Sequence, residues 1–191
     1  MKLMLLMCAA LLLSCGSAAS AQTNKPVERR SAVQVLEIWV ANTEAHLVPL
    51  ADAMPEEKYS FAPTGGEFKG VRTFAEQVKH LAANNYKVAA YMLLEKPTAD
   101  QADETGPETV KTKAEIMKYL KGSFAALHKA VAAADDKNIV EPLEDASRAR
   151  TALALETRLG LAIDAMAHSF NHYGQLVEYL RMNGIVPPDS R

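Results

Sequence analysis

The chain has 191 residues, a formal net charge of −2 and 49% hydrophobic residues. That length and composition fit one globular domain with a sizeable core. No basic block interrupts the near balance of charge, so nothing in the sequence favours nucleic acid or an anionic membrane as a partner.

The first residues have the pattern of a secretory signal peptide. Lys2 is followed by an almost wholly apolar run from Leu3 to Leu13, and Ala19-Ser-Ala21 fits an A-x-A cleavage site. The apolar run is too short to span a bilayer as a stable helix. We therefore predict that residues 1–21 are removed and that the protein is exported, periplasmic or secreted. The alternative is lipoprotein processing at Cys15.

Cleavage after residue 21 would leave a chain without cysteine. Both cysteines, Cys8 and Cys15, precede that site. The mature protein would then have no disulfide and no thiolate ligand, despite an oxidising destination. It would also have no transmembrane span. We expect residues 22–30 to be a polar lead-in and residues 31–191 to form one domain.

The first half of this domain predicts two amphipathic helices. Apolar residues recur every three or four positions from Ser31 to Met54, where Pro55 follows and ends the helix. Residues 55–70 are rich in proline and glycine and predict a loop. Thr73-Phe-Ala-Glu76 is a capping box that opens a second helix, which we expect to end near Lys96.

The second half starts with an acidic stretch, Thr98 to Val110, which we predict to be a loop. Thr112-Lys-Ala-Glu115 is another capping box and opens a third helix, ending between Ala132 and Asp136. Residues Asn138 to Glu156 are ambiguous, although Ser147 to Leu155 could form a short extra helix.

A fourth helix is predicted from Thr157 to Asn183, with Gly184 as its C-cap and two prolines shortly after it. Four helices without a strand pattern predict an all-α four-helix bundle. The fourth helix is apolar on two opposite faces, so one face would fill the bundle and the other would meet a second copy of the chain. The alternative to this homodimer is a large bundle core. One face carries Leu159, Ile163, Met166, Phe170, Tyr173, Val177 and Leu180; the other carries Leu161, Ala165, His168, His172 and Tyr179.

Three histidines in two helices are candidate metal ligands. His168 and His172 are four residues apart and share one helix face, and His80 lies in the second helix. Neutral imidazole is the commonest protein ligand for transition metals, and three such ligands leave a coordination position open. Packed, hydrogen-bonded core imidazoles are the alternative. Amide side chains near these rings could orient them by hydrogen bonds; these are Gln77, Asn84 and Gln175.

The segments around these histidines carry a family likeness. Thr73-Phe-Ala-Glu-Gln-Val-Lys-His80 and the later run from His168 to Pro188 resemble the DinB-like (YfiT-like) superfamily. Met54 to Phe61 resembles that family's exit from helix one, so the likeness spans nearly the whole mature chain. The resemblance implies an up-down-down-up bundle, often dimeric, that holds a divalent metal on three histidines. Those ligands fall on His80, His168 and His172.

The resemblance leaves the reaction open. Some relatives are metal-dependent thiol S-transferases or isomerases, so we expect a metal-dependent hydrolase or transferase that acts on an unidentified small molecule. A non-catalytic metal or small-ligand binding module and a purely structural dimer are the alternatives. We expect zinc or nickel, although imidazole ligands alone do not choose among zinc, nickel, copper and iron. The sequence identifies no catalytic acid or base.

Overall fold

The computed structural model describes residues 29–143 and 157–191. These residues contain four long helices and one single-turn helix, and no strand, which confirms the all-α prediction. Short 3₁₀ turns follow the first helix, at Glu56–Lys58, and the last, at Pro188–Ser190. The helices are α1 (Ala32–Ala53), α2 (Phe74–Met92), α3 (Ala99–Ala102), α4 (Lys113–Ala132) and α5 (Arg158–Met182).

The predicted signal peptide and the possible helix from Ser147 to Leu155 lie outside the described residues. Within residues 29–143 and 157–191, no helix is long and apolar enough to cross a membrane.

The ends of the helices follow local side-chain chemistry. The predicted capping boxes at Thr73 and Thr112 are confirmed, since each hydroxyl accepts from the backbone N–H three residues later. Gly184 lies in the left-handed region at φ 72°, just after α5, as a C-terminal glycine does. The end of α2 differs from the prediction. It stops at Met92 because Leu94 adopts φ 60° and reverses the chain.

The acidic stretch from Thr98 to Val110 is not wholly a loop, and the prediction is wrong over α3. The Thr98 hydroxyl accepts from the Gln101 N–H at 3.3 Å, and the Gln101 side chain accepts from the Thr98 N–H at 2.9 Å. This reciprocal capping box stabilises one helical turn in a segment whose proline and glycine suggest none.

Contacts between helix ends show that α1 and α4 run antiparallel. Lys113, at the start of α4, donates to the carbonyl of Met54 at the end of α1, at 3.0 Å. His128, near the end of α4, lies between the carboxylates of Glu37 and Glu44 in α1, at 2.6 and 3.0 Å.

The other pairs complete the connectivity. Near the start of α2, Gln77 Nε2 donates to Gln175 Oε1 at 2.9 Å, close to the end of α5. At the end of α2, the Met92 carbonyl accepts from Arg158 Nε at 2.9 Å, at the start of α5. Helices α2 and α5 are therefore antiparallel. Arg158 also donates to the carbonyl of Asn138, just beyond α4, at 3.1 Å. Helices α2 and α4 therefore end at the same level and run parallel. The long helices thus have the predicted up-down-down-up order.

The core lies where α1 and α2 each pack against both α4 and α5. The histidine-bearing face of α5 points into this bundle: Leu161, Ala165 and Tyr179 are buried there. Its opposite face is only partly covered, and Ile163 is 52% exposed. All four long helices contribute large buried apolar side chains, including Leu47, Leu50, Phe74, Leu81, Ile116, Leu120, Phe124, Leu176 and Leu180.

We predict that Lys113→Met lowers the free energy of unfolding by about 1–2 kcal/mol, because the ammonium caps a helix C-terminus. Its Nζ donates to the carbonyls of Asp52 and Met54, at 2.6 and 3.0 Å, and its side chain is only 22% exposed. Urea denaturation measures the change. Lys118→Met, at an exposed position of the same helix, is the control, and equal losses for both variants would contradict the capping role.

Candidate metal centre

Three imidazoles converge between α2 and α5. The antiparallel packing places His80 opposite the helical turn that carries His168 and His172. The ring centroid of His80 lies 4.9 Å from that of either partner, and the centroids of His168 and His172 lie 4.6 Å apart. One ring nitrogen from each histidine lies within 4.8 Å of the others. The structure therefore brings the three predicted ligands together.

Hydrogen bonds fix which nitrogen carries the proton in two of these rings. His80 Nδ1 lies 2.7 Å from the backbone carbonyl of Glu104. His172 Nδ1 bonds to Gln77 Oε1. Because both partners are carbonyl oxygens, each Nδ1 must carry the proton, and each Nε2 keeps its lone pair. An acceptor on the far nitrogen is the usual companion of a metal-binding histidine.

Of the three amide residues named from the sequence, one contacts a histidine directly. Gln77 bonds to His172 on the other helix, although it is closer in sequence to His80. Gln175 contacts Gln77, so it reaches His172 through one intervening side chain. Asn84 forms no hydrogen bond with a histidine. Its Nδ2 is buried without a partner among the described residues, one turn beyond His80 on the same helix.

The Glu104 carbonyl was not anticipated from the sequence. It lies in the connection from α2 to α4, and any residue type supplies a backbone carbonyl. The one signal is Gly106, at φ 71°, where a Cβ would lie 3.2 Å from the Cβ of Lys79 on α2. Only glycine suits both this conformation and this close approach. The glycine thus lets the connection lie directly against α2.

The site favours neutral imidazole. Burial is the main cause that lowers the pKa values of His80 and His168, and it outweighs the Glu104 hydrogen bond, which raises the pKa of His80. Burial, and then the neighbouring imidazoles, lower the pKa of His172 to about 4. His80 and His172 are 8% and 7% exposed. The three rings are therefore uncharged near pH 7, which is the form that binds metal ions.

The nitrogen positions fit a transition metal. The Nε2 atoms of His80 and His168 lie 3.0 Å apart, and two imidazole nitrogens at about 2.0–2.1 Å from one ion lie roughly 3.0–3.4 Å apart. The all-nitrogen set suits zinc, nickel, copper or iron rather than magnesium or calcium, which prefer oxygen. Three ligands leave room for a further one. The residues present can therefore hold a divalent ion.

A polar cleft of about 570 Å³ lies beside this cluster. Gln77 and Gln175 line it, so it adjoins the hydrogen bonds that hold His172. Its other walls include Arg72, before α2, and Thr105, next to the Glu104 carbonyl. The cleft is large enough for a small molecule, and it adjoins the three histidines through Gln77 rather than being lined by them.

The remaining histidines belong to other contacts. His46 Nδ1 lies 2.7 Å from the Asn42 carbonyl within α1. His128 lies between two carboxylates on the α1–α4 side of the bundle. Neither is part of the three-histidine cluster.

We predict that the metal-free protein loses stability as the pH falls from 7 to 5. The unfolded histidines take up protons below about 6.5, whereas folded His172 stays neutral down to about 4. The unfolded state thus binds more protons in this range, and acid favours it. Carboxylates with a lowered pKa, such as Asp103 and Glu115, lose their contribution only at lower pH, below about 4.5.

Urea denaturation of chelator-treated protein at each pH measures this loss, and His172→Asn should reduce its slope. A free energy of unfolding that stays constant from pH 7 to 5 would contradict neutral, buried histidines.

Comparison with known protein families agrees with this geometry. The sequence model of the DinB superfamily matches residues 40–176, a span that includes His80, His168 and His172. No curated protein sequence matches the chain closely enough to count as a relative. The family match covers most of the chain and all three histidines, and the chain belongs to the DinB superfamily.

Proposed function

We propose that this protein holds one divalent transition metal ion, zinc or nickel, on His80, His168 and His172, and acts as a metal-dependent hydrolase or transferase on a small molecule. One observation supports the metal site above all: three neutral imidazoles converge, and in two of them Nδ1 carries the proton, so that Nε2 offers its lone pair. The adjoining cleft supports access by a small molecule.

The protein's own groups would hold the site ready. The Glu104 carbonyl and Gln77 fix two imidazole rings before an ion arrives, which lowers the ordering cost of binding it. A bound ion would supply Lewis-acid chemistry at its open position. The buried, unpartnered Nδ2 of Asn84 is a donor that could orient an oxygen atom of a ligand.

A non-catalytic metal or small-ligand binding module is the second candidate. The cleft holds one carboxylate, that of Glu76, and its Oε2 accepts from the Thr73 N–H at 2.7 Å to cap α2. No general base is therefore assigned. Full metal loading without turnover of ester, amide or thiol-transfer substrates would favour this module over the enzyme.

Metal content tests the proposal directly. We expect about one transition-metal ion per chain in protein purified without affinity-tag metal, because each site offers three ligands. A His168→Ala/His172→Ala variant should lose the ion. His46→Ala/His128→Ala removes two histidines elsewhere in the bundle and should retain it. Mass spectrometry measures the metal.

A wild-type protein that stays empty after reconstitution with zinc and nickel would contradict the metal site. Equal loss of metal in both double variants would show that the substitutions remove the metal by disturbing the fold rather than by removing ligands.

We also propose that the protein is a homodimer. An apolar groove of about 580 Å³ runs between the parallel helices α1 and α5 and is lined by Leu36, Trp39 and Ile163, among others. Trp39 is 51% exposed and Ile163 52%. Large exposed apolar patches commonly mark interaction sites, and a second copy could present the same patch about a two-fold axis.

We expect Trp39→Lys to raise the dimer dissociation constant on the order of tenfold or more, because exposed tryptophans are frequent interface anchors. Sedimentation analysis measures it. Val140→Lys, at an equally exposed apolar position after α4, should leave the dimer intact. A monomeric wild type would contradict the proposal.

Export remains part of the proposal, since residues 1–28 lie outside the described residues. A mature protein whose intact mass starts at Gln22 would support secretion, and a lipid on Cys15 would favour the lipoprotein alternative.

A further inference from the structure

A positively charged side chain without an ionic partner lines the cleft beside the histidines. Arg72 lines this cleft, and among the described residues its guanidinium forms no ion pair or hydrogen bond. Glu76 lies four residues further on, but its carboxylate caps α2 through the Thr73 N–H at 2.7 Å. An arginine that lines a cleft without a partner can offer its whole fork of N–H donors to a ligand.

The backbone of this arginine is fixed against the helix that carries two of the histidines. The Tyr179 hydroxyl, on α5, donates to the Arg72 carbonyl at 3.0 Å. Tyr179 is 5% exposed, so this contact belongs to the packed part of the bundle. Arg72 also immediately precedes Thr73, the N-cap of the helix that carries His80. Contacts with both helices of the histidine cluster therefore fix the backbone of Arg72.

A chain of amide hydrogen bonds adds donors to the same cleft. Gln77 Oε1 accepts from His172, so its Nε2 must donate, and it donates to Gln175 Oε1 at 2.9 Å. Because Gln175 accepts through Oε1, the N–H groups of its Nε2 remain unused. The Gln175 side chain is exposed and lines the cleft. The side-chain donors left for a ligand are thus those of Arg72 and Gln175, beside the acceptor oxygens of Glu76 and Thr105.

The charge of Arg72 also reaches the cluster. After burial and neighbouring groups, it contributes to the lowered pKa of each of His80, His168 and His172. Lys87 acts in the same direction on His80 and His168 but does not line the cleft. Comparing variants of Arg72 and Lys87 can therefore distinguish direct contact with a ligand from a general effect of positive charge.

We propose that Arg72, with the Gln175 amide beside it, binds the carboxylate of the substrate and directs the rest of that molecule toward the three histidines. The planar guanidinium matches a carboxylate with two parallel hydrogen bonds. Glu76 adds a negative charge to the same cleft. The one arginine therefore suits a ligand group with a single negative charge better than a phosphate monoester, which carries two. This inference rests on the proposed function and narrows its substrate class to small carboxylic acids.

The test uses the full mature chain loaded with zinc. Calorimetry measures its affinity for malonate, succinate and glutarate, whose increasing lengths sample different spans from the arginine to the metal. Arg72→Gln should weaken the tightest of these ligands on the order of tenfold or more, as the loss of a charged hydrogen-bonded pair does. Arg72→Lys should recover only part of the affinity, because an ammonium lacks the planar fork.

Two controls isolate the contact. Lys87→Gln removes a positive charge outside the cleft and should change the affinity less than about twofold, since such a charge acts only at a distance. The uncharged diamide of the same acid should bind weakly and equally to wild type and Arg72→Gln.

Equal dicarboxylate affinity in wild type and Arg72→Gln would overturn the inference, as would a wild type that binds none of the three. An equal loss in Lys87→Gln would also overturn it, because charge alone would then explain the binding. Zinc content is measured on every variant. A protein that keeps its zinc but fails these tests retains the proposed metal site, whereas failure to bind zinc removes the proposed function itself.

Discussion

Packing three imidazoles together between α2 and α5, two of them buried, is the constraint on which the rest of this structure depends. A buried N–H without an acceptor costs about 1–3 kcal/mol, and three protonated rings in one place would repel each other. The bundle meets both demands. The Glu104 carbonyl and Gln77 accept from His80 and His172, and burial keeps the rings neutral. The Nε2 atoms of His80 and His168 lie 3.0 Å apart, and an ion shared among the three rings would bind their lone pairs.

The connection order of the helices serves this constraint. Because α2 and α4 run parallel, the chain between them must return along the length of α2, roughly 30 Å for a 20-residue helix. This return path carries the Glu104 carbonyl to His80, and Gly106 lets it lie close to Lys79. A short antiparallel turn after α2 would supply no such acceptor. The long connection from α1 to α2 likewise delivers Arg72 to the edge of the same cleft.

The sequence predicted the parts of this arrangement that depend on local side-chain chemistry. The caps at Thr73, Thr112 and Gly184 were found because hydroxyl, carboxylate and glycine act within a few residues of the backbone that they stabilise. The grouping of the three histidines followed from helix spacing and from the family resemblance. Four long helices were predicted from apolar periodicity and caps, and their up-down-down-up order from the family resemblance.

Features that depend on backbone position or distant packing were missed. The end of α2 depends on Leu94 at a positive φ, which leucine rarely adopts. The acceptor of His80 is a main-chain atom and has no side-chain signature. Sequence proximity suggested Gln77 and Asn84 as partners of His80, whereas in the structure Gln77 bonds across the helix interface to His172. Such contacts depend on the rotation of one helix against another, which spacing alone does not determine.

The most direct test of this account is a crystal structure of the zinc-loaded protein with diffraction data collected on both sides of the zinc absorption edge. The account predicts one anomalous peak per chain, at about 2.0–2.1 Å from Nε2 of His80, His168 and His172. A peak coordinated by Nδ1 of His80 or His172, or a peak away from these residues with the three rings still packed together, would contradict it.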